Sequence, residues 1–206
     1  MNTKQQNRSA KLGFTLIEMI GVLAVIAILA ALLIPKIFDA INNARINNAS
    51  VSYNSVKSAV ADHYAKYGSF LATANGATLT LTNANPYDAV LLSEGFMDKP
   101  FAVKIGDGTT NTMIQAVAGV AVAADGSNSA YDLDGAGTND TGPAGNTVIQ
   151  AVITGVARAD AQALNDRLDG ALLGSGANAA DADIKGRVKY VATTDPVTVY
   201  IYIAHR

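Results

Sequence analysis

The segment from Asp132 to Asp140 concentrates the side chains best suited to bind an ion. In Asp132-Leu-Asp134-Gly-Ala-Gly-Thr-Asn139-Asp140, carboxylates and a carboxamide alternate with glycines. Ca²⁺ requires hard oxygen ligands, although this spacing is not that of an EF-hand because no Glu closes the loop. Asp, Asn and Gly also form ordinary surface turns. Two interpretations therefore stay open, a calcium site built from Asp132, Asp134, Asn139 and Asp140, or a cluster of turns.

Other chemistry has little support in this chain. It has no cysteine and two histidines, and His63 and His205 stand too far apart in the sequence for a metal-ligand spacing. The sequence lacks the nucleophile elbow, the phosphate-binding loop, the zinc-protease motif and the dinucleotide-binding motif. We predict that the protein is not an enzyme and has no cofactor apart from the calcium ion just considered. A net charge of -2 gives no basic excess, so no contact with nucleic acid is inferred.

Glu18 is the next residue whose chemistry needs an explanation, because it is the single charged residue of an apolar run. The run extends from Phe14 to Ile34, and about 20 apolar residues suffice to cross a bilayer as a helix. A carboxylate in such a helix is costly and usually has a partner. The residues before it carry Lys4, Arg8 and Lys11 and no acid. The positive-inside rule therefore keeps this leader in the cytoplasm and sends the rest of the chain outward.

The end of the apolar run distinguishes an anchor from a cleaved secretory signal. A secretory signal ends in small residues at its cleavage site, whereas this run ends in Leu32-Leu33-Ile34-Pro35-Lys36. We therefore expect the helix to stay attached to the chain. Pro35 lacks a backbone N–H and clashes with the preceding turn, which predicts a kink or a local opening of the helix.

Helical periodicity continues beyond Pro35. Residues at steps of three and four predict an amphipathic helix that ends at Gly68, a residue type common at helix C-termini. The predicted packing face contains Phe38, Ile41, Arg45, Ala49, Tyr53, Val56, Ala59, Val60, His63, Tyr64 and Tyr67.

Beyond Gly68, short segments rich in Thr, Val, Ile and Tyr alternate with Gly, Asn and Asp clusters, which predicts antiparallel strands joined by turns. The predicted strands are Leu79–Leu81, Phe101–Ile105, Met113–Val117, Thr147–Ile153, Arg187–Ala192 and Val197–Ala204. A second helix fits Ala159–Leu172, and Asp125–Asn146 is predicted to be a surface loop. The fold class is therefore α+β, with a long N-terminal helix packed on an antiparallel β-sheet and a small extra helix.

The start of the apolar run also carries a family resemblance. Lys11-Leu12-Gly13-Phe14-Thr15-Leu16-Ile17-Glu18-Met19, followed by the apolar run and Pro35, resembles the class III signal of type IV prepilins and type II secretion pseudopilins. That superfamily shares a basic leader, a Gly before a Phe or Met, Thr and Glu at the second and fifth mature positions, and an apolar helix. The resemblance covers roughly residues 8–38 and implies a type IV pilin-like fold.

The resemblance also implies roles for individual residues. A prepilin peptidase would cut between Gly13 and Phe14 on the cytoplasmic side and methylate the new amino group of Phe14. Glu18 would pair with the Phe14 amino group of a neighbouring subunit and set the register of assembly. Pro35 would mark the place where the helix opens when subunits pack into a filament. The implied partners are the prepilin peptidase, identical or homologous pilin subunits and an inner membrane assembly platform.

The predicted organisation is a cleaved leader (1–13), a membrane-spanning helix (14–35), its amphipathic continuation (36–67) and a β-rich head (68–206). The predicted function is that of a structural subunit of a type IV pilus-like filament. The subunit would begin as a single-pass inner membrane precursor with a cytoplasmic N-terminus and end in an extracellular pilus or a periplasmic pseudopilus. Two alternatives stay open, a type II secretion pseudopilin and a single-pass membrane-anchored ligand-binding protein that keeps residues 1–13.

Overall fold

The fold is described from a computed structural model that covers residues 13–81, 86–105, 112–170, 173, 183–191 and 195–206. The predicted leader therefore lies outside the described residues, apart from Gly13. A long N-terminal helix, an antiparallel sheet and small helices confirm the predicted α+β class. In chain order, the elements are α1 (Leu16–Tyr67), α2 (Asp88–Ser93), β1 (Thr112–Ala118), β2 (Thr147–Val156), α3 (Arg158–Leu168), β3 (Val188–Tyr190) and β4 (Val197–His205).

The chain divides into two compact units between Ile41 and Asn42. The first unit contains the apolar part of α1. Its described residues are all exposed, and Phe14 and Ile17 each expose 78% of their surface. The helix runs through Pro35 without interruption, so the local opening predicted from this proline does not break the helix of the single chain.

The second unit is built on a four-stranded sheet in the order β1-β2-β4-β3, with every neighbouring pair antiparallel. Alternate side chains of β4 point to opposite faces, as the sequence predicts, because Val199 and Ile201 are buried and Tyr200 is half-buried. We call the side of the sheet that carries Val199 and Ile201 the inner face. Its other apolar residues are Ile114, Ala116, Ile149, Ala151, Ile153, Val188, Tyr190, Val197 and Ile203.

The second half of α1 covers the inner face of the sheet. Its buried residues recur at helical spacing and join the core of the sheet, which confirms the predicted packing face from Ala49 onward. The Tyr53 hydroxyl also donates a hydrogen bond to the Tyr202 carbonyl oxygen at 2.6 Å. The buried residues of α1 are Ile46, Ala49, Tyr53, Val56, Ala59, Val60 and His63. By contrast, Phe38, Ile41 and Arg45 are exposed in the single chain.

The opposite, outer face of the sheet is covered by the loop that connects β1 to β2. Gln150 and Val152 lie on this face and are buried. Tyr131 of the loop is fully buried, and its hydroxyl donates to Gln150 Oε1 at 2.6 Å. Its ring centroid lies 5.4 Å from that of Tyr202. The segment predicted to be a surface loop therefore has no regular strand or helix but forms a second layer on the sheet.

Lys189 of β3 fastens this loop to the outer face. Its side chain is fully buried, and Nζ donates to the carbonyl oxygens of Asn128 and Ala130, both at 2.5 Å. The ammonium also lies 4.2 Å from the centroid of the Tyr131 ring. Burial lowers the pKa of Lys189 to about 8. A buried cation is tolerated here because its donors are satisfied by loop carbonyls.

Two predicted strands are wrong. The segment Leu79–Leu81 forms no strand; the Leu79 N–H donates to the Leu71 carbonyl oxygen beside an isolated bridge between Ala72 and Thr78. The segment Phe101–Ile105 has no strand pairing, yet both of its end residues are buried. Large apolar residues anchor an irregular segment to the core there, and their types alone do not distinguish such an anchor from a strand.

The helices also differ from the prediction. Helix α2 is a short helix of six residues that the sequence analysis does not predict. Helix α3 ends at Leu168 rather than Leu172, because Asp169 leaves the helix. Its Oδ2 accepts hydrogen bonds from the backbone N–H groups of Arg187 and Val188 at 2.8 and 2.7 Å, and residues 171 and 172 lie outside the described part.

Truncating the centre of the inner face should destabilise the head strongly. Ile201 is 1% exposed, so Ile201→Ala leaves a cavity and should lower the free energy of unfolding by about 2–5 kcal/mol. Val122, 58% exposed, provides the matched control, and Val122→Ala should change stability by less than about 0.5 kcal/mol. Urea denaturation of the purified protein in detergent measures both, and equal effects would contradict the assigned core.

Candidate functional site

The N-terminus of α1 is closed by a reciprocal pair of side chains. The Thr15 backbone N–H and hydroxyl each donate to Glu18 Oε2 at 2.7 Å, and the Glu18 N–H donates to Thr15 Oγ1 at 3.3 Å. This is a capping box, in which residues three positions apart satisfy donors that a helix start leaves unpaired. The carboxylate predicted to need a partner therefore has one within its own chain, a local interaction that the sequence interpretation missed although Thr-x-x-Glu is its signature.

Gly13 and Phe14 lie immediately before this capping box and are exposed. A Cβ atom added at Gly13 would meet nothing within 4 Å. The fold therefore gives no steric reason for glycine at position 13, and recognition by another protein is the kind of constraint that remains. Among the described residues, both residues that flank the bond predicted to be cut are therefore exposed.

The apolar run leaves its side chains unburied. In the described part of the chain, one helix is long and apolar enough to cross a membrane, and none of its most apolar stretch is buried. Pro35 lies within this helix and is exposed. Gly13, Phe14, Glu18 and Pro35 therefore all lie on a surface that lipid or another protein can reach.

The predicted calcium ligands lie in the loop on the outer face, and the three carboxylates among them come together. Ligand oxygens of Asp132, Asp134 and Asp140 lie within 4.8 Å of one another. Asn139 is used elsewhere: its Nδ2 donates to the Val120 carbonyl oxygen at 2.6 Å, and its Oδ1 accepts from the Thr141 hydroxyl at 2.7 Å. Its carboxamide thus forms hydrogen bonds that hold the loop together.

Backbone donors hold part of this acidic cluster. Asp140 Oδ2 accepts from the Leu133 N–H at 2.7 Å, and Asp132 Oδ2 accepts from the Gly137 N–H at 2.9 Å. Asp132 is 2% exposed, and its Oδ1 has no hydrogen-bond partner among the described residues. A buried carboxylate oxygen without a donor is unfavourable, so this atom is the one feature of the cluster that turn geometry does not explain.

His63, which the sequence places on the packing face of α1, is fully buried. Its Nδ1 lies 3.2 Å from the Tyr87 hydroxyl oxygen, and its Nε2 lies 3.3 Å from Glu94 Oε2. The rings of Tyr67 and Phe96 pack around it at 4.9 and 5.4 Å. Burial lowers the pKa of His63, and the Glu94 carboxylate opposes that effect.

The comparisons with known proteins agree with the N-terminal geometry. Residues 8–34 match the family model described as the prokaryotic N-terminal methylation motif. No curated protein and no solved structure shows a significant match to the chain. The chain therefore carries the class III signal of the type IV prepilin and pseudopilin family.

The motif supports a protein of the type IV pilin or pseudopilin type, a class that is structural rather than catalytic. Together with the apolar helix, it supports a precursor anchored in a membrane.

Acidification should destabilise the head through His63. The unfolded chain takes up a proton near the ordinary pKa of 6.5, whereas the buried imidazole resists it. The free energy of unfolding should therefore be fully retained above pH 6.5 and fall as the pH decreases below it.

Urea denaturation near neutral pH and near pH 5 measures this dependence. Buried carboxylates also titrate in that range, among them Asp183, whose pKa burial raises to about 6. The difference between the wild-type protein and His63→Leu isolates the histidine, because the leucine variant should lose less stability on acidification. An equal loss in both proteins would contradict the prediction.

Proposed function

We propose that this protein is a structural subunit of a type IV pilus-like filament that polymerises through the apolar half of α1. The observation that carries the proposal is the coincidence of the methylation motif at residues 8–34 with a helical segment, residues 16–34, whose apolar side chains are all exposed. Such a surface is stable in lipid before assembly and among neighbouring helices afterwards. Each aliphatic side chain fully buried there contributes roughly 1.5–3 kcal/mol.

Processing would begin at the inner membrane with the leader in the cytoplasm. Prepilin peptidase would hydrolyse the bond between Gly13 and Phe14, and methylation would follow at the new Phe14 amino group. The absence of a side chain at Gly13 leaves the bond open to an enzyme's active site. The capping box of Thr15 and Glu18 begins after the cut, so cleavage would leave the start of α1 intact.

Assembly would use the same few residues. Glu18 Oε2 already faces the helix start, where the Phe14 amino group of a neighbouring subunit would meet it in a water-poor bundle. That pair would fix the axial register more than it would add stability. Pro35 provides no backbone N–H, so the turn before it is where α1 would open as the subunits pack. Identical or homologous subunits and an inner membrane assembly platform are the partners that this route requires.

The final location of the subunit depends on which filament it forms. A surface pilus and a periplasmic pseudopilus of type II secretion share the motif, and the sequence lacks both the tryptophan of many major pseudopilins and the cysteine pair of many type IVa pilins. A single-pass membrane-anchored ligand-binding protein is the alternative of another class. It would keep residues 1–13 and would not polymerise.

Mass spectrometry of the N-terminus tests the proposal. A chain that starts at Phe14 with one added methyl group is expected. Abundance in the sheared-surface fraction would indicate a pilus, and confinement to the envelope would indicate a pseudopilus. Gly13→Val should leave the chain uncleaved, whereas the control Gly21→Ala should be processed, since an added Cβ meets no atom within 4 Å at either glycine. A wild-type chain that still starts at Met1 beside an active peptidase would overturn the proposal.

We propose in addition that Asp132, Asp134 and Asp140 bind Ca²⁺, with Asn139 as a supporting residue of the loop rather than a ligand. The unpartnered, buried Oδ1 of Asp132 favours this function over simple turns. A cation between the three carboxylates would satisfy that oxygen and remove their mutual repulsion. The loop would then be stabilised against the outer face of the sheet.

Thermal unfolding with calcium or with a chelator tests the calcium proposal. At 100 times the dissociation constant, binding stabilises a protein by about 2.7 kcal/mol, which corresponds to roughly 5–10 °C for a chain of this size. Asp132→Asn should abolish the shift, and Asp98→Asn, an exposed aspartate outside the loop, should keep it. The absence of any calcium-dependent shift in the wild-type protein would overturn the site.

A further inference from the structure

The loop on the outer face presents one large apolar side chain to solvent. In the described part of the second unit, the large apolar residues left exposed are Val51, Val122 and Ile184. Val122 is flanked by the exposed residues Ala121 and Ala123 and followed by the exposed Asp125. We call residues 121–125 the knob. Every charged residue between positions 106 and 157 is an aspartate, so the knob combines an exposed apolar side chain with an acidic one, and its loop has no basic residue of its own.

A pocket with basic instead of acidic residues lies where α1 and β4 end. It has a volume of about 430 Å³, enough for a branched aliphatic side chain and its neighbours. We call its buried residues Phe70 and Ile203 the floor and its exposed residues Lys57 and Arg206 the edge. The complete lining is Lys57, Ala61, Tyr64, Phe70, Ile203, Ala204, His205 and Arg206.

The hydrogen-bond partners of Arg206 in this pocket are neutral. Arg206 donates to the Gly68 carbonyl oxygen at 2.8 Å and to the Tyr64 hydroxyl, both of which are neutral acceptors. Among the described residues, neither Lys57 nor Arg206 forms an ion pair with a carboxylate. The pocket therefore combines an apolar floor with an unpaired basic edge, which complements an apolar residue beside an acid.

The knob and the pocket cannot meet within one subunit. Ile203 belongs to the inner face of the sheet, whereas the loop that carries Val122 covers the outer face. A contact between two different patches on identical molecules is heterologous, and repeating it generates rings or open helical filaments. Two different, complementary patches would allow the heads of successive subunits to contact each other in a filament, in addition to the contacts of their helices.

We propose that the Val122 knob of one subunit inserts into the Lys57–Arg206 pocket of a neighbouring copy, with Asp125 facing the basic edge. This inference rests on the proposed function as a filament subunit and adds a head-to-head contact to it. Burial of Val122 between Phe70 and Ile203 provides the apolar contribution. Asp125 and the basic edge select the orientation, because electrostatic complementarity fixes register and partner choice.

Disulfide trapping in assembled filaments tests this contact directly. The natural chain has no cysteine, so every disulfide reports an introduced pair. Val122→Cys with Ala61→Cys should give a ladder of crosslinked multimers on oxidation, because disulfides form only between Cα atoms within about 7 Å. Ile184→Cys with Ala61→Cys, a pair in which position 184 is also exposed, should remain monomeric.

A second variant makes the test independent of cysteine chemistry. Val122→Asp should reduce the yield of sheared filaments at least tenfold, or about 1.4 kcal/mol per contact. The matched variant Ile184→Asp should assemble normally, and both heads should keep their stability because both positions are exposed.

The outcomes separate this contact from the function on which it rests. Filaments that assemble normally with Val122→Asp and give no ladder would overturn the knob contact while leaving the subunit function intact. A ladder from the Ile184 pair as well would also overturn it, because the crosslinking would then be nonspecific. If correctly processed wild-type chains form no filament, both proposals fail together.

Discussion

The uncovered apolar surface of α1 is the constraint on which the other features of this protein depend. A helix satisfies its own backbone hydrogen bonds, so it can exist in lipid without further structure. Its side chains cannot remain in water at 44–78% exposure along the run from Phe14 to Ile34. This apolar surface must therefore be covered by lipid before assembly and by other helices afterwards. The capping box of Thr15 and Glu18 serves the same constraint, because it closes the one end of the helix whose donors would otherwise be unpaired.

The head follows from a second requirement, because a sheet with buried side chains on both faces must be covered on both. The continuation of α1 covers the inner face through side chains such as Tyr53 and Val60. The loop between β1 and β2 covers the outer face, where Lys189 takes the place of an apolar residue by donating to loop carbonyls. A buried polar contact of this kind stabilises the structure only when each of its donors has an acceptor. Here it holds a loop that forms no strand pairing with the sheet.

The predictability of these elements differs for physical reasons. The alternation in β4 and the helical spacing from Ala49 to His63 are local patterns, so the sequence reveals them. Lys189 shows the limit of local patterns. Alternation places its side chain on the other face of the sheet from Val188, but it does not indicate that a distant loop will bury it. The wrong strand prediction at Phe101–Ile105 has the same cause. Whether an apolar segment pairs or merely anchors depends on neighbours that are distant in sequence.

The site residues divide in the same way. The motif around Gly13 and Glu18 is contiguous and could be recognised from the sequence, although the intramolecular bond to Thr15 was missed. Composition correctly indicated that Asp132 and Asp140 would lie near each other, because they share one short loop. It could not separate them from Asn139, whose amide is held by the Val120 and Thr141 contacts.

Two hydrogen bonds connect the C-terminal half of α1 and the residue after it to β4 and the residue after it, and they have a mechanical consequence. Tyr53 bonds to the Tyr202 carbonyl oxygen, and Arg206 bonds to the carbonyl oxygen of Gly68, the residue that follows α1. Strand β4 is hydrogen-bonded to β2 on one side and β3 on the other. A tensile load carried by α1 therefore enters the sheet at an interior strand, where ladder bonds on both sides resist shear together. A load entering at an edge strand would instead break such bonds one after another.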